Sequence, residues 1–499
     1  MMRITKQTVG LILGPLAFAI VILSDIPNLS DSGEAVLACT IWIATWWVTE
    51  PIPMAATSLL PIVLLPLTGG ATVKDTTAVY GDKMLFLFIG GFMIAIAIEK
   101  WRLHKRIAMN IILAVGTNAR RIVLGFILAT GFLSMWISNT ATTLMMVTIG
   151  MALISQLLEY MKDESAQVKN NFGKALLLGI AYSASIGGLA TLIGTPTNVI
   201  FTAMVEQIFK VEVTFADWFF FALPMVLVLL MLSWWVLVKL VFPMDKIEIP
   251  GGKQTIQKEL SDMGPMSPEE KAIAIVFGLT AMAWIMRSFV LQKLLPSIDD
   301  TVIALIGALV LFLLPAKSDS GKKILDWESA VKLPWGIILL FGGGLSLAAA
   351  FQSSGLALWI GEQLTLLEGI HVVLLIMAIA VFVNFMTEVT SNVATASIIL
   401  PILAALASAV GVHPYALMIA ATLAASCAFM LPIATGPNAI VFGAGKLEVS
   451  DMIRAGFRLN LISSFLIVAT IYFLLPLVMG INLSEFPLEF NPKNSFRGR

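Results

Sequence analysis

Trp136-Ile-Ser-Asn-Thr-Ala-Thr-Thr-Leu-Met-Met146 is a run of small hydroxyl and amide side chains with long apolar stretches on both sides. A near copy, Glu388-Val-Thr-Ser-Asn-Val-Ala-Thr-Ala-Ser397, lies far downstream. Each unpaired backbone group inside a lipid bilayer costs several kcal/mol, so a polar break in an apolar block needs a reason. Two such breaks in one chain predict a binding site built from two halves.

The composition around these motifs is that of a membrane protein. The chain has 499 residues, of which 58% are hydrophobic and 12% charged, and its mean hydropathy is +0.93. A soluble domain carries about 25% charged residues, and many apolar blocks here reach the roughly 20 residues that cross a bilayer as a helix. We therefore expect an all-α polytopic membrane protein.

Several function classes find no support in the sequence. The formal net charge is zero, which gives a nucleic-acid partner no electrostatic basis. Gly443-Ala-Gly-Lys446 lacks the spacing of a P-loop, and neither H-E-x-x-H nor G-x-S-x-G occurs. An integral-membrane enzyme or receptor would need a nucleophile, base or metal cluster in the core, and the sequence offers none. We expect that the protein is not an enzyme.

The apolar blocks predict about eleven transmembrane helices and two hairpins. Arg3 and Lys6 precede an apolar run, as in a signal peptide, but no A-x-A-like cleavage site follows, which favours an uncleaved first helix. The predicted spans are 8–25, 36–49, 52–68, 84–99, 175–204, 217–242, 270–290, 300–315, 334–352, 414–445 and 456–479, and the hairpin blocks are 121–160 and 371–410.

The two halves of the chain form an internal repeat. Gly90 and Gly343 stand 253 residues apart (343 − 90), and Ser138 and Ser391 have the same separation (391 − 138). A third pair of motifs, offset by 240 residues, comprises Gly194-Thr-Pro-Thr-Asn198 and Ala434-Thr-Gly-Pro-Asn438. Three motifs in the same order, two of them in fixed register, predict a structural duplication.

The charge pattern predicts that the repeats are inverted. Basic clusters flank the 121–160 block on both sides, so this block enters from the cytoplasm and turns back, as the positive-inside rule requires. No Lys or Arg lies between Gln352 and Gly445, which predicts that the 371–410 hairpin enters from outside. The same pattern predicts a cytoplasmic N-terminus and an extracytoplasmic C-terminus in the cell inner or plasma membrane.

These observations divide the chain into five parts. Each repeat contains three scaffold helices, a hairpin, a broken helix (175–204 or 414–445) and a last helix (217–242 or 456–479). The parts are an N-terminal first transmembrane helix (1–34), repeat 1 (35–247), a cytoplasmic connector (248–269), repeat 2 (270–482) and an extracytoplasmic tail (483–499).

The polar breaks suit an anion together with small cations. Helix N-termini at a hairpin tip favour anions, whereas carbonyl, Ser, Thr and Asn oxygens suit hard cations. Segments 122–161, 175–205 and 372–412 contain no Lys, Arg or His, so a bound anion needs co-bound cations, and scarce proton-relay groups favour Na⁺ over H⁺. Hydroxyl side chains in membrane helices often serve packing alone, but two copies in register favour a site.

The chain resembles the divalent anion:sodium symporter family, the sodium-coupled di- and tricarboxylate carriers, over nearly its whole length. The resemblance rests on Ser138-Asn139-Thr140, Thr390-Ser391-Asn392 and Gly194-Thr-Pro-Thr-Asn198, and Ser426-Cys-Ala-Phe-Met-Leu-Pro-Ile-Ala-Thr-Gly-Pro-Asn-Ala-Ile440 extends it. It implies a homodimer in membrane lipid, with fixed scaffold helices (the first four spans and the three at 270–352) and an elevator-like moving transport domain.

The resemblance also implies specific site residues. At least two sodium ions are expected, the first held by Ser134, Ser138, Asn139 and Gly194 and the second by Thr387, Thr390, Asn392 and Ala434. The expected substrate contacts are Ser138, Asn139, Thr140, Ser391, Asn392, Val393, Pro196 and Gly436.

Two positions depart from the family pattern and leave the substrate open. Val393 lacks the hydroxyl that Thr140 carries, and Gly436 stands where proline is common. The leading expectation is Na⁺-coupled uptake of a C4-dicarboxylate such as succinate, malate or fumarate; citrate, sulfate or Na⁺-independent exchange are the alternatives. Glu388 is either a coupling acid or a buried structural carboxylate.

Overall fold

The computed structural model of the protein describes residues 5–116, 118–160, 166–244, 252–318 and 321–490. Parts of the predicted first segment (1–34), connector (248–269) and tail (483–499) lie outside these residues. Throughout the described chain the regular secondary structure is helical, with no β-strand. The predicted all-α class is thereby confirmed.

The first scaffold segment begins with a helical pair that lies side by side. Ser30 caps the second of these helices by accepting a hydrogen bond from the Gly33 backbone amide. The helices of this segment are α1 (Lys6–Ile22), α2 (Asp31–Thr49), α3 (Met54–Thr57), α4 (Leu60–Leu67), α5 (Val73–Ala78), α6 (Lys83–Lys100) and α7 (Leu103–Val115). The predicted span 52–68 is thus two short helices, α3 and α4, rather than one.

The polar motif separates the two arms of the first hairpin, and a second break interrupts the next helix. The hairpin consists of α8 (Ala119–Ser134) and α9 (Asn139–Tyr160), and the broken helix of α10 (Ala166–Gly188) and α11 (Pro196–Phe209). Helix α12 (Phe215–Trp235) follows and continues as a π-helical stretch through Val236–Val241.

The second half of the chain repeats this order. A connector helix, α13 (Gly252–Asp262), precedes it. The scaffold part contains α14 (Pro268–Met286), a π-helical stretch (Arg287–Leu291), α15 (Gln292–Leu294), α16 (Asp300–Leu313), α17 (Trp327–Ala330), α18 (Trp335–Ser353) and α19 (Leu356–Gln363). The remaining helices are α20 (Val372–Met386), α21 (Asn392–Val410), α22 (Pro414–Ala425), α23 (Gly436–Gly443) and α24 (Val449–Met479).

Several short helices were absent from the sequence prediction, and two of them occupy equivalent places in the two halves. Helix α7 begins at Leu103 and α19 at Leu356, which is again a separation of 253 residues. Both link a scaffold helix to a hairpin. In the described residues, six helices are long and apolar enough to cross a membrane, so the count of eleven spans stays a prediction.

Following the sequence prediction, we call α1–α6 and α14–α18 the scaffold body, and the two hairpins with α10–α12 and α22–α24 the transport body. In the scaffold body, α6 packs on α16, and α18 packs on α3 and α4. Helix α18 also contacts α11 and α21 of the transport body. In the transport body, the hairpins pack on the broken helices: α8 and α9 contact α10, and α20 and α21 contact α22. Helices α9 and α23 meet across the two repeats, as do α21 and α11, and these contacts bring the four helix breaks together.

Glycine allows close approach at two equivalent positions in the scaffold. A Cβ atom at Gly90 of α6 would lie 2.8 Å from the Ala304 Cβ of α16, and one at Gly343 of α18 would lie 2.7 Å from the Ser58 carbonyl oxygen. Small residues at such crossings let backbones pack closely in membranes. The repeated glycine motif therefore serves helix packing.

Replacing Gly90 by valine should destabilise the scaffold. The added side chain would overlap Ala304, and overpacking of this kind costs about 1–3 kcal/mol. Thermal unfolding of the purified protein in detergent measures the effect. Gly278→Val is the matched control, because nothing lies within 4 Å of a Cβ at that helical glycine; equal stability losses in both variants would contradict the packing explanation.

Candidate functional site

The two hairpin tips and the two broken helices line one cavity of about 650 Å³. All eight residues expected at the substrate lie on its wall: Ser138, Asn139, Thr140, Ser391, Asn392, Val393, Pro196 and Gly436. They come from two motifs separated by 253 residues and two separated by 240 residues. The structure thus brings together the residues that the sequence selected.

Four helices begin at this cavity. Asn139 and Asn392 start the second arms of the hairpins, and Pro196 and Gly436 start the second parts of the broken helices. A helix N-terminus carries unpaired N–H groups and about half a positive charge, which makes it a ready anion site. The cavity wall therefore favours negative charge without a basic side chain from the transport body.

Two ionisable side chains complete the cavity lining, and both belong to the scaffold. Lys6 is the first residue of α1, and Glu50 follows the last residue of α2. Both side chains are exposed. The sequence reasoning missed them, because neither lies near a polar motif.

A cluster of oxygen atoms lies beside the first hairpin tip. The Ser134 hydroxyl donates to the Ala184 carbonyl at 2.7 Å. The inward-facing atom of the Asn139 amide lies 2.5 Å from Ser134 Oγ, 3.1 Å from the Ala184 oxygen and 3.2 Å from the Gly194 oxygen. With its nitrogen inward, this amide donates its two protons to oxygens of this cluster. With its oxygen inward, it completes a set of four oxygens that fits a hard cation such as Na⁺.

The second hairpin carries an equivalent cluster. The Thr387 hydroxyl donates to Asn392 Oδ1 at 2.7 Å and lies 3.0 Å from the Ala425 carbonyl oxygen. Thr387 and Asn392 stand 253 residues after Ser134 and Asn139. The two clusters therefore match in their atoms as well as in their sequence positions.

Not every predicted ligand lies in these clusters. Ser138 lies on the cavity wall beside Asn139. The Thr390 hydroxyl bonds the Met386 carbonyl at 2.9 Å and the Thr395 hydroxyl at 2.7 Å. Ala434 lines the cavity from the second break. The carbonyls of Ala184 and Ala425 join the clusters without having been predicted.

Buried asparagine side chains hold the two unwound segments in shape. Asn198 Nδ2 donates to the carbonyls of Gly188, Leu189 and Thr191 at 3.2, 3.2 and 2.8 Å. Its counterpart Asn438 donates to the carbonyls of Ala428 and Leu431 at 3.1 and 3.0 Å. Both side chains are fully buried, so they replace the helical hydrogen bonds that each break removes.

Glu388 braces the second break with its carboxylate. It accepts hydrogen bonds from the backbone amides of Phe429, Met430 and Leu431 at 2.8, 2.9 and 3.0 Å, and from Asn460 Nδ2 at 2.7 Å. Four donors occupy its oxygens, which favours the structural role over the coupling acid. The equivalent position in the first repeat is Met135, whose carbonyl accepts from the Thr191 hydroxyl.

Gly436 and Val393, the two positions that depart from the family pattern, lie on different parts of the cavity wall. A Cβ atom at Gly436 would lie 2.6 Å from Thr140 Oγ1, so this glycine leaves room for the threonine hydroxyl. In the related α11–α21 contact the equivalent residues are Pro196 and Val393. At this pair of positions, one repeat therefore presents a hydroxyl beside a glycine, and the other presents two apolar side chains.

Comparison with known proteins identifies the family. The model of the sodium:sulfate symporter transmembrane region matches residues 5–480. The chain belongs to this symporter family. It is accordingly a multi-pass integral membrane protein of a transporter family and not an enzyme, as the sequence predicted.

Curated relatives agree over the full length. The chain is 49% identical over 489 residues to the sodium-dependent dicarboxylate transporter SdcS of Staphylococcus saprophyticus, covering 97% of this chain and 94% of the relative. It is 47% identical to the protein of the same name from a Staphylococcus aureus strain, with the same coverage of both chains.

Two solved transporter structures share the symporter's fold. Neisseria gonorrhoeae MtrF, described as one of a class of antimetabolite efflux pumps, matches with a TM-score of 0.59 and 13% identity, covering 94% of each chain. The Alcanivorax borkumensis YdaH transporter matches with a TM-score of 0.56 and 14% identity, covering 80% of this chain and 87% of YdaH. At these identities the likeness concerns the fold alone.

Removing the Glu388 carboxylate should unfold the second break. Glu388→Ala leaves three backbone amides unpaired in a buried site, and we expect a loss of about 3–5 kcal/mol in stability. Glu388→Gln retains one acceptor oxygen and should lose less. Thermal unfolding measures both; a Glu388→Ala variant as stable as the unmodified protein would refute the bracing role.

A methyl group at position 436 should clash with Thr140 specifically. We expect Gly436→Ala to destabilise the protein by about 1–3 kcal/mol through overpacking. Thr140→Ala removes the opposing hydroxyl, so the double variant should lose less than the sum of the single losses. A double-mutant cycle of thermal stabilities tests this coupling, and strictly additive losses would exclude the contact.

Proposed function

We propose that this symporter is a secondary active transporter that couples Na⁺ entry to the uptake of C4-dicarboxylates such as succinate, malate and fumarate. The observation that carries the proposal is the pair of equivalent oxygen clusters beside one cavity lined by helix N-termini. The name of the SdcS relatives, sodium-dependent dicarboxylate transporters, supports both the cation and the substrate class.

In this proposal the hairpin tips bind the two ends of the dianion. Ser138, Asn139 and Thr140 meet one carboxylate, and Ser391 and Asn392 meet the other. Hydrogen bonds to ionised groups are stronger than those between neutral groups, which suits hydroxyl and amide donors at a carboxylate. Val393, Pro196 and Gly436 set the shape of the pocket around the carbon chain.

Sodium then acts as part of the anion site. One ion lies with Ser134, Ser138, Asn139 and Gly194, and a second with Thr387, Thr390, Asn392 and Ala434. Transferring two negative charges into a partly dehydrated cavity is costly unless positive charge accompanies them. In the described part of the chain the transport body supplies no cationic side chain to the cavity wall, and we therefore propose coupling to at least two cations.

Transport requires the cavity to face each side of the membrane in turn. The hairpins pack on the broken helices, and we propose that these elements move together past the scaffold body as an elevator. We further propose opposed hairpins, a cytoplasmic N-terminus and an extracytoplasmic C-terminus. The exposed apolar side chains of α14 and α16, such as Leu279, Ile306 and Leu309, suit lipid or a second copy in a homodimer.

Citrate, sulfate and Na⁺-independent exchange are the rival functions. Intact oxygen clusters in both repeats favour Na⁺ coupling over exchange. A thermal-shift comparison of succinate, citrate and sulfate, each with and without Na⁺, separates them: we expect stabilisation by succinate that requires Na⁺.

Asn139→Ala and Asn392→Ala should each abolish Na⁺-driven succinate uptake in proteoliposomes. Each change removes one amide from both a carboxylate contact and a cation cluster. Gel filtration and thermal unfolding establish that the variants are folded. The matched control is Asn110→Ala, whose side chain is exposed and donates only to the Arg106 carbonyl; uptake by both site variants at normal Na⁺ dependence would disprove the assignment.

A further inference from the structure

Charged side chains from both bodies meet at one end of the scaffold–transport interface. The scaffold helices contribute Lys83 at the start of α6 and two groups near the α14–α16 connection, and the transport body contributes two carboxylates around the α11–α12 connection. This interface ion cluster consists of Lys83, Glu206, Glu212, Arg287 and Asp300.

Two basic side chains of the scaffold pair with carboxylates of the transport body. Lys83 Nζ lies 2.8 Å from Glu206 Oε1 and 3.8 Å from Glu212 Oε1. Arg287 Nη2 lies 3.0 Å from the same Glu212 oxygen. Glu212 is therefore shared by two cations that belong to the other body.

A scaffold carboxylate also binds the start of a transport helix. Asp300 Oδ2 accepts a hydrogen bond from the Phe215 backbone amide at 2.8 Å, and Arg287 Nη1 lies 3.0 Å from the same oxygen. The Phe215 ring stacks on Trp284 of α14 at 4.8 Å between ring centroids. Negative charge at a helix N-terminus is stabilising, so Asp300 holds α12 against the scaffold.

Burial makes the centre of the cluster costly to separate. The Arg287 and Asp300 side chains are 1% and 4% exposed, and a buried charge that loses its partner is strongly destabilising. The Lys83 and Glu206 side chains are 35% and 29% exposed, so separating this pair costs less than separating Arg287 from Asp300. Sliding of the bodies past one another breaks every contact between them.

The cluster lies at the end of the molecule away from the charged cavity lining. Helix α6 runs from Lys83 to Lys100, and Lys100 Nζ pairs with Asp326 at 2.6 Å. Asp326 precedes α17 and α18, and Ile337 in the first turn of α18 lines the cavity. The scaffold wall of the cavity is therefore formed towards the Lys100 end of α6, opposite the ion cluster.

We propose that the interface ion cluster is a latch that holds the transport body in the arrangement seen here, closed at the Lys83 end, and that it opens once in each transport cycle. The inference rests on the proposed two-body movement. In this inference the ion pairs of the cluster set the equilibrium between the two orientations of the cavity.

Chemical labelling of a reporter cysteine tests the latch. Ile337→Cys places a thiol in the cavity lining, and the native Cys39 and Cys427 are both fully buried. In proteoliposomes without substrate or Na⁺, Lys83→Gln and Glu206→Gln should each slow labelling of this cysteine by a membrane-impermeant maleimide about two- to fivefold, the range expected for a partly exposed pair. Because Lys83→Gln removes the pair with Glu206 as well as the contact with Glu212, the double variant should show no larger effect than Lys83→Gln alone.

Lys100→Gln is the matched control. It removes the same charge from the opposite end of the same helix, and its partner Asp326 also belongs to the scaffold, so labelling should be unchanged. Unchanged labelling in both Lys83→Gln and Glu206→Gln, an equal shift in Lys100→Gln, or additive effects in the double variant would overturn the latch. Because labelling needs neither Na⁺ nor substrate, these outcomes are independent of the assigned cargo.

Discussion

The structure depends on satisfying backbone polar groups where four helices begin inside an apolar protein. A helix that ends within a membrane leaves carbonyl and N–H groups without partners, and lipid supplies none. Asn198 and Asn438 bind the carbonyls on the inside of each break, and Glu388 binds the amides of the second. Once those groups are paired, the remaining carbonyls and N-termini stay free to face the cavity.

The sequence indicated the side chains on the cavity wall, but it did not indicate the backbone oxygens of the two clusters beside it. Ser138 and Asn139 recur in register at Ser391 and Asn392, and side-chain chemistry of this kind is visible in a single sequence. Ala184 and Ala425 contribute only their backbone oxygens, which any residue possesses, so no residue type indicates them. Helix α7 was missed for another reason: its basic residues resemble a cytoplasmic loop, although one face of the helix packs on α8.

The two repeats differ in groups of neighbouring residues rather than at single, unrelated positions. Thr140 lies against Gly436, whereas the equivalent positions in the other repeat hold Val393 and Pro196. A hydroxyl side chain needs the space that glycine leaves, because close-packed interiors tolerate little added volume. The same asymmetry appears behind the tips, where a carboxylate braces one break and a hydroxyl braces the other. The two repeats therefore enclose a pocket whose two ends differ chemically.

Among the residues that the structure describes, the cavity wall on the transport body carries no ionisable side chain, and the two charged lining residues, Lys6 and Glu50, belong to the scaffold. If the transport body moves alone, the charge that crosses the membrane field on its cavity wall is that of the cargo. Moving one uncompensated elementary charge across the membrane changes the free energy by about 2.3 kcal/mol per 100 mV of membrane potential. A dianion with two sodium ions would be electrically silent, whereas a third cation would make the carrier electrogenic and let voltage drive accumulation.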